Sequence, residues 1–193
     1  MIGRDLLIGM SLGIFYLIIV LLVRSVVVNW YPDAIVHFFR ENSFYVLGSP
    51  FQFMTGVLIM IYWSLGNSFL FLFILISFLI IFKKRKLAII AAFALMLTLF
   101  LFPLEHYHQI LLDSVYSILI IFVLLRYGIL AATGFLMVYY AVGSFPFTLD
   151  PSRFYFPYTV TIISIVSIIA IYSFYIASGK QLSNALMSDP EGG

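Results

Sequence analysis

Apolar residues along this chain come in long unbroken runs and lack the one-in-two alternation of a strand that is wet on one face. Leu6 to Val23 and Leu87 to Leu104 carry no charged side chain. An α-helix rises about 1.5 Å per residue, so about 20 such residues match the roughly 30 Å hydrocarbon core of a bilayer. Read at that length, the pattern predicts spans at residues 6–28, 63–82, 87–104, 109–125, 129–145 and 157–178. The expected fold class is all-α: a polytopic membrane protein forming one transmembrane domain over residues 1–193, a bundle of about six transmembrane helices. A membrane β-barrel is excluded because its strands alternate lipid-facing and lumen-facing residues.

Residues 32–62 interrupt the pattern and predict an interfacial helical segment between the first and second spans. Pro32, Asp33, His37, Arg40, Glu41 and Asn42 are too polar to span. Ile35, Val36, Phe38 and Phe39 give the same stretch an apolar side, a mixture that suits a helix lying in the interface. Phe51 to Phe82 is too long for one span and short for two. Counted back from Phe82, a core of about 30 Å is used up near Trp63. Residues 51–62 are therefore expected along the outer surface or shallowly re-entrant, with Gly66-Asn67 a bend inside the span.

Small and hydroxylated residues mark the expected packing faces. Gly9 and Gly13 form a Gly-x-x-x-Gly pair, which lets a neighbouring backbone approach closely. Ala88, Ala91 and Ala92 give the third span a small-residue side, and Thr161, Ser164 and Ser167 form a hydroxyl stripe on the sixth, also expected to pack helices together. Pro103 is expected to close the third span. Asp150 and Pro151 read as the cap and first position of the sixth helix, and Gly179 as its stop.

Charge sets the expected orientation. Six spans place Arg4, Lys83, Lys84, Arg85, Lys86, Arg126 and Lys180 on one side, seven of the ten basic residues, and Arg24, Arg40 and Arg153 on the other. Short loops rich in Lys and Arg stay cytoplasmic. Both termini are therefore expected in the cytoplasm and the protein in the cell inner membrane. Breaking the chain at Gly66 to give a seventh span scrambles this separation. The first run is longer than the roughly 7–15 residues of a signal h-region and precedes no small-x-small cleavage site, so it reads as a retained helix.

Composition narrows the chemistry. Hydrophobic residues make up 64% of the chain and charged residues 9%, more apolar surface than a water-soluble core can hide. With no cysteine, disulfides, thiolate metal sites and cysteine nucleophiles are excluded. The Lys83–Lys86 run is the one basic tract, and it has no interleaved aromatics of the kind that binds nucleic acid. The densest polar cluster is Glu105-His106-Tyr107-His108-Gln109 with Asp113 beyond it. Glu105, His106 and His108 are candidate metal ligands, and His37, His106 and His108 candidate ligands of a haem or chlorophyll. His106 and His108 are two apart and diverge on a helix, unlike the one-turn spacing of a zinc hydrolase. No catalytic residue is assigned.

Three pieces of the last third carry a resemblance: 126–131 (RYGILA), 145–155 (FPFTLDPSRFY) and 172–180 (YSFYIASGK). Together they resemble the C-terminal transmembrane region of membrane-anchored bacterial serine/threonine kinases, notably acidobacterial ones, and of related uncharacterised membrane proteins. The resemblance implies a cytoplasmic N-terminus. The chain departs from those kinases in lacking a Gly-rich phosphate loop, a His-Arg-Asp triplet and an Asp-Phe-Gly, so no catalytic residue carries over. The expected function is that of a non-catalytic membrane subunit or anchor that packs against partner membrane proteins, lipid or pigment. The alternative is an intramembrane enzyme or small transporter using the cluster from Glu105 to Asp113.

Overall fold

A computed structural model describes residues 2–30, 48–100, 107–145 and 150–187. Among them are six α-helices and no strand: α1 (Ile2–Trp30), α2 (Pro50–Phe82), α3 (Arg85–Phe100), α4 (Tyr107–Tyr127), α5 (Ile129–Ser144) and α6 (Phe156–Met187). Four stretches are long and apolar enough to cross a membrane: Ile2–Val23, Pro50–Phe82, Ile110–Tyr127 and Phe156–Ser178. Helix α5 is apolar but shorter, at 16 residues. These helices indicate a membrane location, since backbone polar groups in hydrocarbon are satisfied within each helix.

Small residues set the central contact. A Cβ on Gly9 would collide with the carbonyl of Ala131 on α5, and one on Gly13 would stand 2.9 Å from the carbonyl of Phe135. In return a Cβ on Gly134 would stand 2.7 Å from the carbonyl of Leu6. Contact advances by one turn on both helices together, so α1 and α5 run parallel with their backbones touching. Gly3 makes a similar approach to Ser173 and Ala177 of α6, while Ile14 and Leu17 line one cavity with Ile163 and Val166, so α6 runs antiparallel to α1.

The remaining directions follow from paired side chains. Phe53 meets Phe145 at a ring separation of 5.4 Å, and Ser68 lies beside Thr133, so α2 is antiparallel to α5. Tyr116 and Tyr139 meet across the single-residue link at Gly128, with ring centroids 5.0 Å apart, so α4 and α5 fold back on one another. Gly128 has φ 83° and ψ −169°, a region essentially restricted to glycine. The alternation gathers Arg4, Lys83, Lys84, Arg85, Lys86 and Arg126 at one end of the bundle. Arg153 stands at the opposite end, beside Asp150 at 3.5 Å.

Three sequence expectations give way. The element boundary expected at Trp63 is absent: residues 50–62 are the first turns of α2, which continues unbroken through Gly66 and Asn67 to Phe82. Ser49 caps this helix by accepting a hydrogen bond from the Gln52 N–H at 3.2 Å, and Pro50 sits in its first turn. Phe53, Val57 and Met60 are buried with Met137, Ala141, Phe145 and Ile162, so packing against α5 and α6 extends the helix beyond the length a bilayer core demands. At 33 residues it is about 50 Å long. Residues 32–47 of the expected interfacial segment lie outside the described residues.

Gly179 does not end α6, which continues to Met187. Asp150 does not cap that helix either. It accepts hydrogen bonds from the N–H and hydroxyl of Ser152 at 3.0 and 2.7 Å, closing an Asx-type turn six residues before the helix begins at Phe156. Pro103 and the end expected for the third span at 104 lie outside the described residues; α3 is described to Phe100.

The glycines should separate cleanly in a stability assay. Gly128→Ala forces a side chain into glycine-only backbone space and should cost about 1–3 kcal/mol. Gly9→Ala overpacks the α1–α5 contact and should cost a similar amount, about 1–3 kcal/mol. Gly66, with ordinary helical backbone and nothing within 4 Å of a built Cβ, should gain about 0.5–1 kcal/mol as alanine. Unfolding of the purified protein in mixed micelles with rising dodecyl sulfate measures all three.

Candidate functional site

His37, Glu105 and His106 lie outside the described residues, and His108 is placed only as backbone in the first turn of α4. Among the described residues no three His, Cys, Asp or Glu side chains are grouped to hold a metal. Ala88 and Ala92 are fully buried on α3, and Ala91 is half-buried. The stripe on α6 falls elsewhere than expected. Thr161, Ser164 and Ser167 are all exposed, and the Thr161 hydroxyl donates to its own helix at Pro157. Thr159 and Ser173 are the hydroxyls that α6 turns inward. The phase of α6 is set by Ile162 in the core and by Ser173 against Gly3, which sends that stripe outward.

A polar seam instead runs through the middle of the bundle. Tyr16 of α1 and Tyr116 of α4 are each 3% exposed, with ring centroids 5.7 Å apart in an edge arrangement. Tyr139 lies 5.9 Å from Tyr16, Phe135 lies 5.7 Å from Tyr116, and Phe71 of α2 closes the group at 6.4 Å from Tyr116. Aromatic pairs at such separations contribute about 0.5–1.5 kcal/mol each beyond their burial. The Tyr16 hydroxyl makes a long hydrogen bond to the Leu112 carbonyl, 3.5 Å. Asp113 is half-buried on α4, three residues before Tyr116.

The seam continues between α2 and α5. Asn67 donates from Nδ2 to the Tyr140 hydroxyl. Thr133 Oγ1 lies 3.1 Å from Ser68 Oγ and 3.0 Å from the Ile129 carbonyl, so its one proton serves either acceptor. Ser64 and Ser68 donate back into their own helix at 2.7 Å each, which satisfies hydroxyls that are otherwise sealed from water. Ser117 is fully buried beside Tyr116, and its Oγ has no hydrogen-bond partner among the described residues.

Sequence reading missed these tyrosines and took Asn67 for a bend. Tyrosine is enriched where membrane meets water, so Tyr16 and Tyr139, both well inside apolar runs, were the available signal. At the far end of the bundle, hydrogen bonds from the Ser152 hydroxyl and N–H, helped by Arg153, hold the exposed Asp150 carboxyl below the ordinary carboxylate range. No family model, curated protein or solved structure matches the chain.

Two outcomes follow from this geometry. A double-mutant cycle on Asn67→Leu and Tyr140→Phe should give a coupling of about 0.6 kcal/mol, the usual worth of an interhelical hydrogen bond in a membrane, measured by the same micellar unfolding. Because the Asp150 pKa is depressed on folding, its contribution is present above the unfolded value of about 3.9 and lost as pH falls through the lower folded value. Ser152→Ala should move that titration upward toward the ordinary range, read from the carboxyl carbon chemical shift of Asp150.

Proposed function

We propose that this chain is a non-catalytic integral membrane subunit or anchor that works by packing against other membrane proteins. The observation that carries the reading is the outer face of α6. Only 11% of its apolar span is buried within the bundle, against 17% for α2 and 33% for the spans of α1 and α4; its hydroxyls Thr161 and Ser164 are exposed, and Ser167 is exposed at the edge of a cavity shared with α1 and α5. A lone bundle facing lipid gains nothing from hydroxyls there. A partner helix does, since small and hydroxylated residues let helices approach and bond. The resemblance of residues 126–131, 145–155 and 172–180 to a membrane-anchoring region agrees with an appendage role in a bacterial protein.

Within this reading the six helices cross the inner membrane alternately, the basic end of the bundle faces the cytoplasm, and both termini are cytoplasmic. Bound lipid or pigment is compatible with it, and nucleic acid is not among the expected partners. A second reading, a small transporter or intramembrane enzyme, is favoured by Asp113, a half-buried carboxyl within the apolar span of α4, because ionisable groups within spans are often functional.

Photo-crosslinking amino acids at Ser164 and Ser167, in native membranes, test the first reading. Protein adducts are expected at both and none at the buried Ile162. Lipid adducts alone at Ser164 and Ser167 would remove its basis. Ion or proton flux in liposomes holding the purified chain, abolished by Asp113→Asn, would replace it with the second.

A further inference from the structure

We infer that the basic end of the bundle holds an anionic phospholipid, its headgroup at Arg4 and one acyl chain in the groove between α4 and α6. Both helices pack on α1, and they make no extended contact with each other. The space left between them is a groove of about 500 Å³, within the usual range of about 300–1,000 Å³ for small-molecule sites. Its floor is α1, through Ile8 and Leu12, and its walls are Phe122 of α4 and Phe174 of α6. At the mouth stand Arg4, Tyr127 and Ser178. From Arg4 to Leu12 the groove runs about 12 Å along α1.

Polarity and size together select the occupant. One end is cationic and hydroxylated, and the body is apolar, the pattern of an anionic headgroup followed by a hydrocarbon chain. Arg4 donates to Asp5 Oδ1 from Nε and Nη2, both at 3.2 Å, which steadies the guanidinium and leaves further N–H donors for a phosphate. Asp5 offsets one charge, but Arg126 next to Tyr127 and the Lys83–Lys86 link raise the potential at the same end. Basic clefts between helices at a leaflet surface are suited to phosphate headgroups. A partner helix is about 10–12 Å across with its side chains and fills far more than this groove over a 12 Å run. An acyl chain fits. The inference rests on the bundle being embedded in a bilayer, and it is independent of whether α6 meets a partner.

The test uses the full chain purified in mild detergent, offered phosphatidylglycerol or phosphatidylcholine with matched acyl chains, with bound lipid counted by native mass spectrometry. Phosphatidylglycerol should be retained in preference. Arg4→Gln should weaken phosphatidylglycerol binding about fivefold and leave phosphatidylcholine unchanged, the effect of removing one basic side chain near a headgroup. Arg4→Lys should restore most of the preference. Ser11→Phe, a filling substitution at an exposed groove position, should lose both lipids while circular dichroism stays helical. Equal retention of the two lipids by the unmodified chain would overturn the proposal, and this comparison stands even where Ser11→Phe fails to fold. So would full phosphatidylglycerol binding by a folded Ser11→Phe, an equal thermal stabilisation by inorganic phosphate alone, or a photo-crosslinker at Ser11 that captures a protein and no lipid.

Discussion

Backbone contact between α1 and α5 is the constraint on which the other packing depends. Helices in lipid gain little from the hydrophobic effect on meeting each other, because acyl chains solvate apolar side chains as well as a neighbouring helix does. What remains is dispersion between closely fitted surfaces and a few hydrogen bonds. Gly9, Gly13 and Gly134 remove the side chains that would hold the two axes apart, and Ala131 adds almost nothing back. The close approach brings Tyr16 against Phe135 and Tyr139, and all three against Tyr116 of α4. Gly128 then lets α4 and α5 meet with no intervening loop.

Around that axis the bundle is uneven. Helices α4 and α5 turn much of their surface inward, whereas α6 packs mainly along α1, closest at Gly3, and otherwise joins the cluster around Phe53, Phe145 and Ile162. Polar groups are distributed in the same uneven way. Interior ones are mostly satisfied, by back-bonding of Ser64 and Ser68 and by the pairs at Asn67 and Thr133. On α6, Thr159 and Ser173 are turned inward, while Thr161, Ser164 and Ser167 are exposed. The exposed hydroxyls Thr161, Ser164 and Ser167 on the little-buried α6 are what give the partner reading its physical content.

The all-helical class and the positions of five helices were legible in the residues, because long charge-free runs admit no other secondary structure in hydrocarbon. The Gly9 and Gly13 spacing and the run Lys83–Lys86 were visible for the same reason: each acts locally. The start of α2 was not. A count from Phe82 measures how much helix a bilayer needs, and cannot see that Phe53 and Met60 have apolar partners on α5 and α6 that reward more.

Local chemistry therefore determined which segments are helices, where apolar runs yield to charge, and which residues are small enough to permit close approach. Only the tertiary structure decided which small residues are used, that Gly9 meets Ala131 while Thr161 faces outward, and that tyrosines from α1, α4 and α5 converge on one seam. The reason is rotational phase. Helices that are apolar on every side carry no stripe to say which face turns inward, so the phase is set by the fit of one helix on another.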